Sequence, residues 1–267
     1  MTLIEMGPFL AGGLFVGVLT FLEVGRRIGR RRLAAGAAEG GAGFGAVESA
    51  VFGLMGLLIA FTFSGATTRF DDRRHLVRQE ANAIGTAWLR IDLVPSEAQV
   101  KLRDLFRRYL DSRLETYRNA KQAELAMSEF ARSTVLQQDI WTTAVAACRD
   151  PGAAPGASLL LLPALNEMID ITTTRLMATR LHPPPIIFGM LIALTLAGAL
   201  LAGHAMAAHL SWSWTHALAL AFVMAATVYV IIDIEYPRLG LIRVDAVDEV
   251  LVDVRKSMDD ARPSPGN

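Results

Sequence analysis

The densest run of charge in the chain is Arg69, Asp71, Asp72, Arg73 and Arg74, directly after a long apolar stretch. Opposite charges three and four residues apart can pair along a helix, which makes this a solvated, largely self-neutralised face. A second use is open to the same residues. Repeated around a ring-shaped oligomer, the arginines would raise the local anion concentration at a pore mouth, as a vestibule. Asn166, Glu167, Asp170 and Arg175 form another polar set, on a segment otherwise striped with Leu162, Leu165, Ile169 and Leu176. A polar network against a neighbouring helix accounts for them. Glu167 and Asp170 could also hold a divalent cation, but Ca²⁺ takes several oxygen ligands and here there are two carboxylates. His204, His209 and His216 lie five and seven residues apart with no carboxylate nearby. That spacing matches no helical ligand pair, so interfacial histidines are expected there and no metal. Glu48, one turn inside an apolar block, is either a functional ionisable group or one that snorkels to the headgroups. No nucleophile elbow, phosphate loop or HExxH motif is present, so neither an enzyme nor a bound cofactor is expected.

The elements that must position these residues are mostly membrane spans. Of 267 residues, 52% are hydrophobic and the formal net charge is zero, too apolar for an ordinary soluble domain of this size. A single cysteine, Cys148, excludes an internal disulfide. Balanced charge with no basic run in the central region argues against nucleic-acid binding.

Four apolar blocks are long enough to cross about 30 Å of hydrocarbon at 1.5 Å per residue. The first, Leu3 to Val24, is followed by Arg26, Arg27, Arg30, Arg31 and Arg32, where a cleaved signal would carry small residues. The second, Val47 to Gly65, is rich in glycine, which lets spans approach closely. Pro185 to Gly203 carries no charge and follows the stiff Pro183-Pro184-Pro185 run. Thr215 to Ile232 is flanked by Trp212 and Trp214 at one end and by Tyr229 and Tyr236 at the other, as interfacial anchoring predicts. Asp233 and Glu235 mark the expected return to water.

Between spans two and three lies a soluble helical insert. Val77, Ala81, Ile84, Trp88 and Ile91 share one helical face, so the second span should continue as helix beyond the lipid. From Val47 to Ile91 that helix would measure roughly 68 Å, with Gly65 the expected kink. Pro95 ends it. Ser96 and Gln99 read as a capping box for the next helix, with the stripe Leu102, Phe106, Tyr109, Arg113 and Tyr117. A helix from Gln122 to Cys148, a loop over Asp150 to Gly156 and a helix from Leu159 to Leu181 complete the insert.

The expected fold is therefore all-α: four transmembrane helices in two hairpins, with a large helical insert between spans two and three. In residue terms, 1–66 form the first transmembrane hairpin with its basic loop, 67–183 the insert, 184–236 the second hairpin and 237–267 a C-terminal tail. Pro237 and Gly240 predict a turn there, then a short apolar segment through Leu239, Leu241, Ile242 and Val244, and a frayed end from Arg262.

Three stretches resemble the bestrophin-like family of bacterial membrane proteins. They are Phe61 to Ala66 with Arg69 to Arg74 and Glu80 to Ala87; Leu162 to Asp170 with Thr174-Arg175 and His182-Pro183-Pro184; and Asp233, Pro237-Arg238 and Gly240 to Ile242. Together they span most of Ala46 to Val244. More distantly, the layout is similar to that of bestrophins, pentameric anion channels whose second transmembrane helix lines a narrow apolar neck. That resemblance implies a homo-oligomer in the lipid bilayer of the bacterial inner membrane, passing small inorganic anions. Its neck would be Leu54, Leu57 and Phe61, where an apolar constriction gates by dewetting. In an ordinary span the same residues face lipid or pack against other helices. The alternative function is a non-conducting membrane scaffold or sensor whose insert binds a partner protein. Sidedness is balanced on charge: the five arginines after the first span place the insert outside, while Arg69, Arg73, Arg74, Arg78, Arg175 and Arg180 pull it inside. The resemblance implies a cytoplasmic insert.

Overall fold

The structure, a computed structural model, describes residues 7–35, 42–208, 214–236, 241–242 and 245–260. Eight α-helices follow one another among them: α1 (Gly7–Ala34), α2 (Ala42–Arg90), α3 (Ser96–Arg118), α4 (Ala123–Cys148), α5 (Ala157–Arg180), α6 (Pro185–Ala205), α7 (Trp214–Glu235) and α8 (Asp245–Asp260). No strand occurs in the described residues, so the protein is all-α. Helices α1, α2, α6 and α7 each contain an apolar stretch long enough to cross a membrane. The chain divides into two compact units: Met1–Phe70 with His182–Ile242, and Asp71–Leu181 with Arg243–Asn267.

In the first unit α1 packs against α6 and α7 rather than chiefly against α2, its neighbour in sequence. Glycine makes the α1–α6 approach close. A Cβ at Gly25 would overlap the Leu200 carbonyl oxygen, and one at Gly203 would overlap that of Leu22. Leu14, Val18 and Leu22 of α1, Leu191 of α6, and Ala217, Ala221 and Ile231 of α7 form the buried seam. The first span also runs on further than expected. The five arginines predicted in a loop lie within α1 itself, because arginine favours helix and Glu23 pairs with Arg26 at 2.7 Å and Arg27 at 2.8 Å, one turn on.

Helix α2 passes through Gly65 without interruption, and Arg69 packs over that glycine. Hydroxyls satisfy themselves on the helix's own carbonyls: Thr67 donates to Phe63 O at 2.9 Å and Thr68 to Ser64 O at 3.0 Å.

The second unit is a helical bundle. Helix α3 packs on α4 and α8, and α4 packs on α5. The predicted face of α2 is buried at Val77, Ala81, Ile84, Trp88 and Ile91, and the α3 stripe is buried at Leu102, Phe106, Tyr109 and Arg113. The α3 cap differs from the sequence reading. Pro95, not a serine, is the N-cap, and the Gln99 side chain donates to Val94 O at 2.8 Å, so its reach back ends on a carbonyl instead of the Ser96 amide. Gly156 precedes α5 with φ +80°, a conformation only glycine adopts freely. The tail reading also changes: Asp245–Asp260 form a helix whose Leu251 and Met258 are fully buried. Pro237, Leu239, Gly240, Val244 and the segment from Arg262 lie outside the described residues.

Candidate functional site

Two buried ion-pair centres hold the second half of α2, at Arg69 and at Glu80. In the second unit, Glu80 of α2 is fully buried. It accepts from Arg113 Nε of α3 at 2.7 Å, from Tyr117 Oη at 3.0 Å and from Arg175 Nη1 of α5. Arg175 is shared, because its Nη2 donates to Asp248 of α8 at 3.4 Å. Stacking adds to these bonds: Arg175 lies 3.9 Å from the Tyr117 ring centre, and Arg113 4.9 Å from it and 5.6 Å from that of Phe130. Arg113 Nη1, which has no hydrogen-bond acceptor, belongs to that stacked guanidinium. Burial by itself raises a carboxyl's pKa, but Arg175 and Arg113 outweigh it and hold Glu80 at about 2. The carboxylate in return pushes both guanidinium pKa values up, and burial raises the phenols of Tyr109 and Tyr117. A smaller knot lies beside this one: Tyr109 Oη and Thr172 Oγ1 are 3.0 Å apart, and Gln137 Nε2 donates to Thr172 at 3.1 Å. Every charge here is tied to a counter-charge or a ring, so the arrangement clamps four helices and leaves no poised acid or nucleophile.

The other centre is in the first unit. Arg69 of α2 grips Glu235 at the end of α7, with Nε 2.9 Å from Oε2 and Nη2 2.7 Å from it. His182 Nδ1 stands 3.1 Å from Glu235 Oε1, and its ring stacks on Tyr236 with centroids 4.4 Å apart. Asp233 accepts the backbone amides of Leu241 at 2.9 Å and Ile242 at 2.7 Å, fixing where the chain returns to α7. Asp233 and Glu235 were expected in water at the close of the fourth span. Both are buried, because the arginine and two backbone amides replace their hydration.

The sequence-predicted charge run is thus divided. Arg69 pairs with Glu235, and Arg73 is buried, donating to Ala178 O at 3.1 Å and Leu181 O at 2.9 Å, the last carbonyls of α5. Arg74 and Asp71 approach to 3.5 Å, and Asp71 and Asp72 are exposed. The second polar set divides too: Arg175 enters the Glu80 centre, whereas Asn166, Glu167 and Asp170 are exposed and Asn166 donates to Asp170 at 2.9 Å. Glu80, Arg113 and Asp248 were not singled out as site residues. Glu80 followed by an alanine-rich buried face was a visible signal, since a carboxylate amid such a stripe needs a partner.

Leu54, Leu57 and Phe61 project from α2 on one face and are 50%, 52% and 68% exposed within the chain. They belong to a longer exposed stripe at three- and four-residue intervals: Val47, Ala50, Leu54, Leu57, Phe61, Ser64 and Thr68. Only 6% of the apolar stretch of α2 is buried, against 22% for α1, 39% for α7 and 28% for the stretch that includes α6. Of the four spans, α2 is the least covered within the chain.

Four apolar spans with a helical insert between the second and third define an all-α integral membrane protein. The Bestrophin-like domain model matches residues 14–248, and the chain belongs to that family. A crystal structure of a bacterial bestrophin homologue from Klebsiella pneumoniae, a single-residue variant, superposes with TM-score 0.66 at 14% identity, covering 93% of this chain and 98% of that one. A crystal structure of a membrane protein variant gives 0.65 at 14% identity, covering 93% and 99%. Comparison with curated proteins finds no match.

Proposed function

We propose that the protein is an ion conduit of the bacterial inner membrane in which several copies place α2 around a common axis, with Leu54, Leu57 and Phe61 as the neck. The observation that carries this reading is the bare apolar face of α2: a span so little covered within its own chain gains its neighbours from other copies. A ring of leucine and phenylalanine side chains narrows the path and closes it to hydrated ions until it widens. The stripe then passes through Ser64 and Thr68 to charged residues, the order expected of a pore that leaves an apolar constriction for water.

The preference for small anions comes from the family. The exposed charges that follow on the helix, Asp71 and Asp72 against Arg74 and Arg78, cancel and set no strong sign of their own. As the vestibule, the segment Arg69 to Arg74 acts mainly through shape, since Arg69 and Arg73 are held by internal acceptors. A cytoplasmic insert follows from the same kinship, as does the absence of an enzymatic role.

The test is flux of chloride and of potassium through protein reconstituted in liposomes, with oligomer mass measured in detergent. Phe61→Ala and Leu57→Ala raise the flux of a ring-sized oligomer. Silent, intact wild-type protein that stays silent in both variants favours the scaffold. That rival has its own observation, the exposed Leu89, Leu159 and Leu160 in the insert.

A further inference from the structure

Helix α1 does not stop where its apolar stretch stops. After Val24 it continues for ten residues to Ala34, which carry five arginines and no acid; Glu23 stands just before them. Glu23 is already engaged, with Arg26 and with Arg27. Gly25 and Gly29 fix the orientation of this extension, because both press against the end of α6 and its following turn. Arg27, Arg30 and Arg31 stand three and four residues apart on the opposite side and are exposed.

Their height relative to the lipid follows from helix rise. At 1.5 Å per residue, Arg27 and Arg31 lie roughly 4 and 10 Å beyond Val24, and the headgroup layer on each side of the hydrocarbon is about 5–8 Å thick. Long guanidinium stems bridge the remainder. Phosphates in that layer are therefore within reach of all three. Glu23 offsets part of the charge on Arg27, and the neighbouring chain adds no acid: from His182 to Ile232, which includes the turn after α6 beside Gly29, there is no Asp or Glu. At the start of α7 an exposed Trp214 supplies the interfacial aromatic that accompanies such a level.

We infer that Arg27, Arg30 and Arg31 form a binding face for anionic phospholipid headgroups, held rigid by the glycine contact of α1 with α6. The ligand is a phosphodiester on a lipid anchored in the adjoining leaflet. Neutral lipid occupies the face without preference. The inference concerns lipid choice and stands whether or not the protein conducts.

Native mass spectrometry of the whole protein in detergent, titrated with equal phosphatidylglycerol and phosphatidylcholine, measures it. Wild-type protein retains phosphatidylglycerol in preference, and the combined Arg27→Gln, Arg30→Gln, Arg31→Gln variant loses that preference by on the order of tenfold. The corresponding triple lysine variant keeps most of it, since charge carries the attraction. The single Arg31→Glu variant, which leaves the Glu23 pairs intact, weakens it in the same direction and serves if the triple glutamine protein does not fold. An unchanged preference in folded variants of wild-type oligomer mass overturns the inference. So does displacement of the lipid by millimolar inorganic phosphate, which would assign the face to free phosphate.

Discussion

Replacing Glu80 by glutamine keeps the shape of the side chain and removes its charge. Two guanidiniums, from Arg113 and Arg175, then remain buried, with Arg175 keeping Asp248 at 3.4 Å. Removing one partner of a buried ion pair costs about 3–5 kcal/mol. The pKa gives a parallel figure: holding the carboxyl at about 2 instead of 4.5 corresponds to about 3 kcal/mol at 1.36 kcal/mol per pH unit. For a protein of this size about 2–4 °C of melting temperature accompanies each kcal/mol, so the insert should melt roughly 6–20 °C lower. Trp88 reports from the same unit, packed edge-on to Phe106 and lying under Arg103 and Arg107, so scanning fluorimetry in detergent follows the transition. Adding Arg175→Met to Glu80→Gln removes one stranded charge, and the double variant should lose less than the sum of the single losses. A Glu80→Gln protein melting within about 1 °C of wild type, or strict additivity in the double variant, refutes the clamp.

The same carboxyl sets a pH dependence. Its folded pKa is depressed, so its contribution is complete above about pH 4.5 and falls away as pH drops toward 2. Thermal scans of wild type from pH 7 to 3 should show this acid loss, and Glu80→Gln should lack that component. Gly203→Ala forces α1 and α6 apart at the Leu22 carbonyl, and a cost of about 1–3 kcal/mol should appear as earlier melting of the spans, whereas Gly53→Ala, whose added methyl meets nothing within 4 Å of its own chain, should leave monomer melting unchanged. Met258→Ala empties a fully buried site on α8 and should cost about 2–5 kcal/mol, read as earlier proteolysis of the insert. Glu235→Gln loosens the bidentate hold on Arg69 and should make the start of the insert more accessible to hydrogen exchange.

Span positions and helix faces were legible because both rest on periodicity along the chain. Val77, Ala81, Ile84, Trp88 and Ile91 repeat at helical spacing, and all five are buried. Partner choice was not legible, because it depends on residues far apart in sequence. Arg69 stands beside Asp71 and Asp72 but pairs with Glu235, 166 positions away, and Glu80 finds Arg113 and Arg175 at 33 and 95. Local opposite charges lose that competition because a fully buried carboxylate needs a donor more than an exposed one does. Helix α8 was legible by the same rule and is the exception: Val247, Val250, Leu251, Val254 and Met258 repeat at helical spacing within a segment that also carries six acids.

The insert's bundle is assembled from two separated pieces of chain, and this sets an order of biogenesis. Every residue of the first unit has been joined to the chain by Ile242, whereas Asp248, Leu251 and Met258 follow the last span. Until then α3 waits with the seat for α8 open and Arg175 without its second carboxylate. The insert of a nascent chain therefore displays apolar surface until α8 has followed the last span out of the ribosome, which exposes it to proteases during assembly.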